Sequence, residues 1–355
     1  MEKPDKKITI RDIAQLAGVS IGTVDRVIHN RGEVSTKTKE KILKITKTLN
    51  FQPDVLASAL ASKKNTKFAV LMPAADSDSN FWKIPIIGIE KALNEIIHYG
   101  VNCSNYCFSI SDKDSFLEEA NKALNDYPDG FLIAPSFQKE AIKLAEICNE
   151  KQIPFVFFNS SIPDQNQLCH VGQDSKQSGM VGAKLMDYGI DYGSEILIVS
   201  ILSFLKNNNH ILDRKKGFLQ YFENKKERNI KLISIDIDSL NIGDVYDALR
   251  SAFFANPKIK GVFVTNSRVF HVARFIESEK MSNINLIGYD LTSENIPYLE
   301  KDIITFLINQ KPIEQAYRAI YTLFNKIVLK KEVPKEILLP IDIVTRENLK
   351  YYEEY

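Results

Sequence analysis

Residues 8–64 read ITIRDIAQLAGVSIGTVDRVIHNRGEVSTKTKEKILKITKTLNFQPDVLASALASKK, and this stretch decides how the rest of the chain is understood. Thr9 precedes Ile10, Ile13, Ala14 and Ala17, which are apolar residues at helical spacing, and Thr9 with Asp12 has the form of a capping box. Gly18 stops that helix, because glycine enters a left-handed turn without a Cβ penalty. Val19 then turns inward and Ser20 caps a second helix, roughly residues 21–28. Its apolar face is Ile21, Val24, Val27 and Ile28, and its outward positions are Gly22, Thr23, Asp25, Arg26 and His29. A third helix starts at Ser35 or Thr36, with Ile42, Ile45 and Leu49 on one side and Lys37, Lys39, Lys41, Lys44 and Lys47 on others. Helix, glycine turn, helix is the helix-turn-helix arrangement, in which the second helix enters a DNA major groove and reads bases near its N-terminus. A plain three-helix bundle is the alternative.

Charge favours the DNA reading. The whole chain has 46 basic and 45 acidic residues, close to neutral. Residues 1–67 hold 14 basic and 7 acidic residues, and the remainder 32 and 38, so about +7 at one end offsets about −6 over the rest. A basic N-terminal segment suits phosphate contacts.

From Lys67 onward, short apolar runs alternate with helical patterns: KFAVLMP, GFLIAP, PFVFF, EILIVS, KLISIDI, GVFVT and INLIGYD each precede or follow an amphipathic stretch. Such runs are buried parallel strands in doubly wound sheets. About 290 residues exceed one such core, so two similar lobes are expected, with a crevice at the strand carboxyl ends as the ligand site. A second series of strands is expected to begin near residue 168, at LCHVG.

The run IRDIAQLAGVSIGTVDRVIHN, followed by VSTKTKEKI, LNFQPD and LASALA, closely resembles the DNA-binding headpiece of the lactose/purine/galactose repressor (LacI) family. The likeness is colinear over about 55 residues. More loosely, residues 67–345 resemble the periplasmic sugar-binding-protein fold carried by such regulators, through DGFLIAP, IPFVFFN, LDRKKGF, VFVTNS and IGYD. The implied organisation is an all-α helix-turn-helix headpiece at 1–52 and a hinge helix with linker at 53–65. Behind them stands a two-lobed α/β body: an N-terminal lobe of 66–169 with about 311–338, and a C-terminal lobe of 170–310 with about 339–355.

The resemblance places Ile21, Gly22 and Asp25 in base-facing slots and matches Arg26 to a base-contacting arginine. Arg26 can bond guanine O6 and N7, or else a phosphate. Gly22 has nothing to read with, Ile21 offers a surface for a thymine methyl, and the Asp25 carboxylate repels phosphate yet accepts from cytosine N4. Thr9, Ser20, Thr23, His29, Asn30, Ser35 and Lys37 complete the expected DNA-facing set. Residues 55–61 form a hinge too short to be helical alone. Its Leu60 matches a leucine that wedges into the minor groove, at a cost of a few kcal/mol of unstacking; the alternative is that Leu60 docks the segment on the body.

Nine residues are expected in the effector cleft: Asn80, Phe81, Trp82, Asn159, Asp174, Arg214, Asn266, Asp290 and Gln310. An aromatic face for sugar C–H groups, with arginine, carboxylates and amides around it, is carbohydrate chemistry. Trp82, the one tryptophan, also suits a core. Where several pentose and hexose binders have Asp-Arg, this chain has Asn159-Ser160, which leaves the effector open among sugars, polyols and sugar phosphates.

The expected function is therefore a dimeric, ligand-gated regulator, most simply a repressor of carbohydrate-use genes on a near-palindromic operator. Two alternatives are a solute-binding or enzymatic body with a non-specific nucleoid anchor, and a DNA-binding regulator gated by a protein partner. The opening MEKPDKKITIRD carries no apolar signal, and no apolar run reaches ~18 residues, so a cytoplasmic, nucleoid-associated location without membrane contact is expected. Cys103, Cys107, Cys148 and Cys169 lack metal-ligand spacing, and no nucleotide, metalloprotease or nucleophile-elbow motif occurs. No cofactor, metal or catalytic residue is expected.

Overall fold

The computed structural model describes residues 8–28, 32, 34–49, 51, 60, 65–75, 80–201 and 209–352. The chain divides into two compact units, Met1–Lys64 and Asn65–Tyr355.

In the first unit, α1 (Ile10–Ala17), α2 (Ile21–Ile28) and α3 (Thr36–Thr48) enclose a small core of Ile13, Ala14, Ala17, Val24, Val27 and Ile42. Each start is capped by a hydroxyl. Thr9 Oγ1 accepts from Asp12 N at 3.3 Å while Thr9 N donates to Asp12 Oδ2 at 2.8 Å, which closes the capping box. Ser20 Oγ accepts from Thr23 N at 3.2 Å and Ser35 Oγ from Thr38 N at 3.3 Å. Gly18 sits at φ 67° and donates back to Ala14 and Gln15 carbonyls, so the tight turn has the backbone that glycine tolerates. Ile21 departs from the apolar face assigned to it, though not from its outward slot. It is 47% exposed at the first turn of α2, so Val24 and Val27 alone anchor that helix deeply. His29, Asn30 and all of the proposed hinge except Leu60 lie outside the described residues.

The second unit contains two six-stranded sheets. The first is built by β1 (Thr66–Pro73), β2 (Val101–Phe108), β3 (Gly130–Ile133), β4 (Phe155–Asn159), β5 (Cys169–Gly172) and a late strand, β11 (Glu336–Leu338). Its order is β11-β5-β4-β3-β1-β2, parallel throughout. The second holds β6 (Glu195–Ile201), β7 (Lys231–Ile237), β8 (Ile259–Val264), β9 (Asn285–Tyr289), β10 (Phe306–Asn309) and β12 (Asp342–Val344). Its order is β12-β10-β9-β8-β6-β7, with only β12 antiparallel. The near-continuous burial of β1, β3, β4 and β6 matches sheets covered on both faces.

The helices doing the covering are α4 (Ile84–Ile96), α5 (Lys113–Asn125), α6 (Gln138–Glu150), α7 (Ser175–Tyr188), α8 (Asn209–Glu223), α9 (Ile242–Ala255), α10 (Val269–Ser278), the short α11 (Ile296–Glu300) and α12 (Pro312–Ile327). The chain crosses between sheets after β5, after β10 and between β11 and β12. The LCHVG strand is thus the fifth strand of the first sheet, not the first of the second lobe. Its partners decide this: Val156 to Asn159 pair with Cys169 to Gly172, and Glu336 to Leu338 with His170 to Gly172.

Candidate effector cleft and DNA-facing helix

The carboxyl ends of β1, β4, β8, β9 and β10 converge on one small cavity of about 50 Å³ between the lobes. Phe81, Trp82, Asn159, Arg214, Asn266, Asp290 and Gln310 line it, seven of the nine residues expected. It is a crevice at strand ends, where open α/β sheets bind ligands.

Local backbone chemistry sets each side chain. Asn159 and Asp290 end their strands at φ 68° and 69°, a left-handed turn that Asn and Asp enter more readily than other side chains. Asp290 is fully buried. Gln310 donates to it twice, from Nε2 to Oδ2 at 2.7 Å and from the backbone N to Oδ1 at 3.3 Å. Arg214, 1% exposed, donates from Nη1 to the Thr265 carbonyl at 2.9 Å and from Nη2 to Gln310 Oε1. Its guanidinium lies 3.8 Å from the Tyr289 ring centre, and the Tyr289 hydroxyl meets Ser178 Oγ at 3.0 Å. Asn159 Nδ2 reaches Gln310 Oε1 from the other lobe at 3.5 Å. Asn266 is pinned by its donation to the Ile201 carbonyl at 2.6 Å, and its Oδ1 accepts from Arg268 N. Burial pushes the Asp290 carboxyl up to about 6 although Arg214 and Gln310 oppose the shift.

Trp82 resolves as both things the sequence allowed. Its ring packs edge-on to Phe81 and Phe158, with centroids at 5.1 and 6.1 Å, and also lines the cavity. Asn80 stands outside the cavity lining. It donates to Ser293 Oγ at 3.1 Å and Glu294 Oε1 at 2.6 Å, which ties one lobe to the other at the mouth. Asp174 is not in the cavity lining. It is the N-cap of α7, with Oδ1 accepting from Gln177 N at 2.8 Å, and it faces a polar hollow that shares Asn159 and His210 with the cavity.

Sequence reasoning missed Ile110, His210, Ile211, Ser267 and Arg268, which also line the cavity. His210 had a legible signal: it precedes Arg214 by four residues, which puts both on one helix face. Burial and the nearby Arg214 hold its imidazole well below its usual range. A larger hollow, lined by Ile84, Tyr317 and Tyr351 among others, shares no lining residue with this cavity. Among the described residues there is no cluster of three metal-ligating side chains, and no helix is long and apolar enough to cross a membrane.

On the headpiece, Gly22 and Arg26 are exposed and Asp25 is half-buried on the outward side of α2, and Lys37 is exposed on α3. Ser20 and Thr23 hydroxyls meet at 2.9 Å beside the start of α2. Leu60 is 52% exposed.

Helix-turn-helix headpiece and two-lobed strand-end cleft together define a DNA-binding protein with a periplasmic-binding-protein body. Family profiles agree: one described as "Periplasmic binding protein domain" matches residues 68–331, and one described as "Bacterial regulatory proteins, lacI family" matches residues 9–54. Over most of its length the chain belongs to the periplasmic-binding-protein domain family, and its N-terminal segment is a LacI-type helix-turn-helix domain. It is 24% identical over 353 residues to the ribose operon repressor of Halalkalibacterium halodurans, covering 96% of this chain and 97% of that one. It is 25% identical to the transcriptional regulator RegA of Clostridium saccharobutylicum, covering 79% of this chain and 82% of the relative. Among solved structures, a putative LacI transcriptional regulator from Bacteroides fragilis superposes with TM-score 0.75 at 28% identity, over 81% of this chain and all of that one. A solute-binding protein from Burkholderia graminis in complex with D-arabinose superposes with TM-score 0.72 at 18% identity, over 82% and 98% of the two chains, a likeness of fold.

Proposed function

We propose that this chain is a repressor of carbohydrate-use genes that binds a near-palindromic operator as a homodimer and is gated by a small polyhydroxylated ligand in the interlobe cleft. One observation carries the reading: Arg214, Asn266, Asp290 and Gln310 converge with Trp82 at strand ends, in a chain that also carries a LacI-family headpiece. A planar guanidinium, a carboxylate, two amides and an indole can satisfy hydroxyls and cover C–H faces together. Its relatives' names point the same way, toward a ribose operon in one case. A cavity of about 50 Å³ takes a few water molecules rather than a ring sugar, so ligand entry requires the lobes to part and the Gln310 contacts to re-pair. In this proposal that motion alters the spacing of two hinges and hence operator affinity, and a two-fold dimer sets the half-site symmetry.

The test is selection of binding sites from random DNA with the full chain, followed by ligand titration of the selected complex. The reading expects one near-palindromic site preferred by 10³ or more over random DNA at physiological salt, with affinity altered by a sugar-class ligand. Equal binding to all sequences would reduce the headpiece to an anchor. In the same assay Arg26→Ala should relax preference at one position of each half-site by ~1–3 kcal/mol. A loss uniform across sequences would make Arg26 a phosphate contact. Leu60→Ala should bind the selected site more weakly and bend it less.

A further inference from the structure

The polar hollow beside the cavity has a volume of about 490 Å³, and Asn159 and His210 form a wall common to both spaces. That volume suits a small-molecule site, for which roughly 300–1,000 Å³ is usual. Apart from Pro163 and Leu338, every residue lining it is polar or charged. Both lobes build it, and Asn209 Nδ2 donates across to the Ser161 carbonyl at 3.2 Å. Two of its side chains are more than nine-tenths buried yet incompletely bonded: Gln173 is 4% exposed and His170 8%. Gln173 Nε2 donates to the Asn309 and Pro340 carbonyls at 3.3 and 3.1 Å. This fixes the amide and leaves Oε1 without a partner among the described residues. His170 Nδ1 donates to Glu336 Oε1 at 3.4 Å, because a carboxylate only accepts. Burial holds this imidazole below its usual range, against the pull of Glu336. In the neutral ring Nε2 is then an acceptor, and it too has no partner among the described residues. Buried acceptors are costly to leave unmade and are ordinarily completed by a donor on a ligand or water. A sugar hydroxyl is such a donor.

We propose that this hollow is a second sugar subsite and that the ligand of the cleft is a disaccharide. One unit is held by Arg214, Asp290 and Gln310 once the lobes part, and the other donates hydroxyls to Gln173 Oε1 and His170 Nε2. This rests on the sugar-gated reading above and names the size of ligand that reading leaves open. Asn159 and His210, which line both spaces, stand where the link between the two units passes. A single ring fills one space and leaves the other to water. Two linked rings meet both sets of polar groups, and the second set is met without a second loss of translational and rotational freedom.

The experiment is calorimetric titration of the full chain with two matched sets. One holds glucose, galactose and xylose with their methyl glycosides; the other holds maltose, cellobiose, lactose and xylobiose. The expected result is a disaccharide that binds at least about tenfold tighter than its component monosaccharides and their methyl glycosides. Two variants then place the second unit. His170→Phe removes the ring nitrogen, and Lys176→Trp, at an exposed position in the first turn of α7, puts bulk into the hollow. Each, checked by melting curve for folding, should erase the disaccharide's advantage while monosaccharide affinity stays within about twofold of wild type. A monosaccharide that binds as tightly as every disaccharide containing it overturns the second subsite and leaves sugar gating standing. An advantage kept by both variants overturns it as well, because the second unit then sits elsewhere. Equal loss for monosaccharide and disaccharide in folded variants also overturns it, since the hollow then only shapes the cleft. Binding of no sugar in either set overturns the sugar-gated reading too.

Discussion

Asp290 shows what a buried carboxyl at a strand end costs in stability. Its backbone is left-handed at φ 69°, its side chain is fully buried, and its carboxyl titrates at about 6 instead of 3.8. The folded state therefore binds this proton more tightly than the unfolded state. Stability from this group is greatest below about pH 4, falls as pH rises to about 6, and stays low above. The shift corresponds to about 3 kcal/mol at most, at 1.36 kcal/mol for each tenfold change. Between pH 4 and pH 7, the stability of Asp290→Asn relative to wild type should move in the variant's favour by up to that amount, read by urea denaturation at both pH values. A difference independent of pH would mean the carboxyl titrates normally. Strand-end polar residues such as Asn159, Asn266 and Asp290 were legible because polar groups right after buried runs have few structural reasons to be there. Asp174 looked the same in sequence and is a helix cap, because side-chain chemistry alone does not distinguish a ligand contact from an N-cap.

At the scale of elements, Arg214 is held where it is by two glycines. A Cβ on Gly217 would stand 1.9 Å from the Lys176 carbonyl oxygen, and one on Gly179 2.0 Å from the Arg214 carbonyl oxygen. The helices α7 and α8 thus touch backbone to backbone, and no flexible side chain is available to yield. Gly217→Ala should force them apart, destabilise the protein by ~1–3 kcal/mol or more, and weaken ligand binding by displacing Arg214. Denaturation and calorimetry would check it, and a variant within about 0.5 kcal/mol of wild type would refute the close-contact argument. Element identity was largely readable from periodicity, but the assignment of β5 was not. Val156 to Asn159 on one side and Glu336 to Leu338 on the other recruit it into the first sheet, and strand pairing across 160 residues leaves no mark on local sequence.

At the scale of the whole molecule, the gating proposed above is a free-energy linkage between cleft and operator. If ligand changes operator affinity by some factor, operator must change ligand affinity by the same factor. Coupling of this kind is typically about 5–150-fold, or ~1–3 kcal/mol. Anisotropy titration of labelled operator with and without ligand, beside calorimetry of ligand with and without operator, should return equal factors. Unequal factors would mean the two measurements do not report a single thermodynamic cycle.

The headpiece was determined by the sequence alone, because its chemistry is local: a capping box, a glycine turn and three hydroxyl caps act over three or four residues each. Buried parallel strands were equally visible, since apolar runs report burial on both faces. What the tertiary structure decided was membership and convergence. It placed β5 in the first sheet, turned Asp174 into a cap, exposed Ile21, and brought His210 and Arg268 beside Arg214. Those outcomes depend on which distant strands pair and how closely two helices approach. Such long-range choices are made by packing of the whole body, and no single segment carries them.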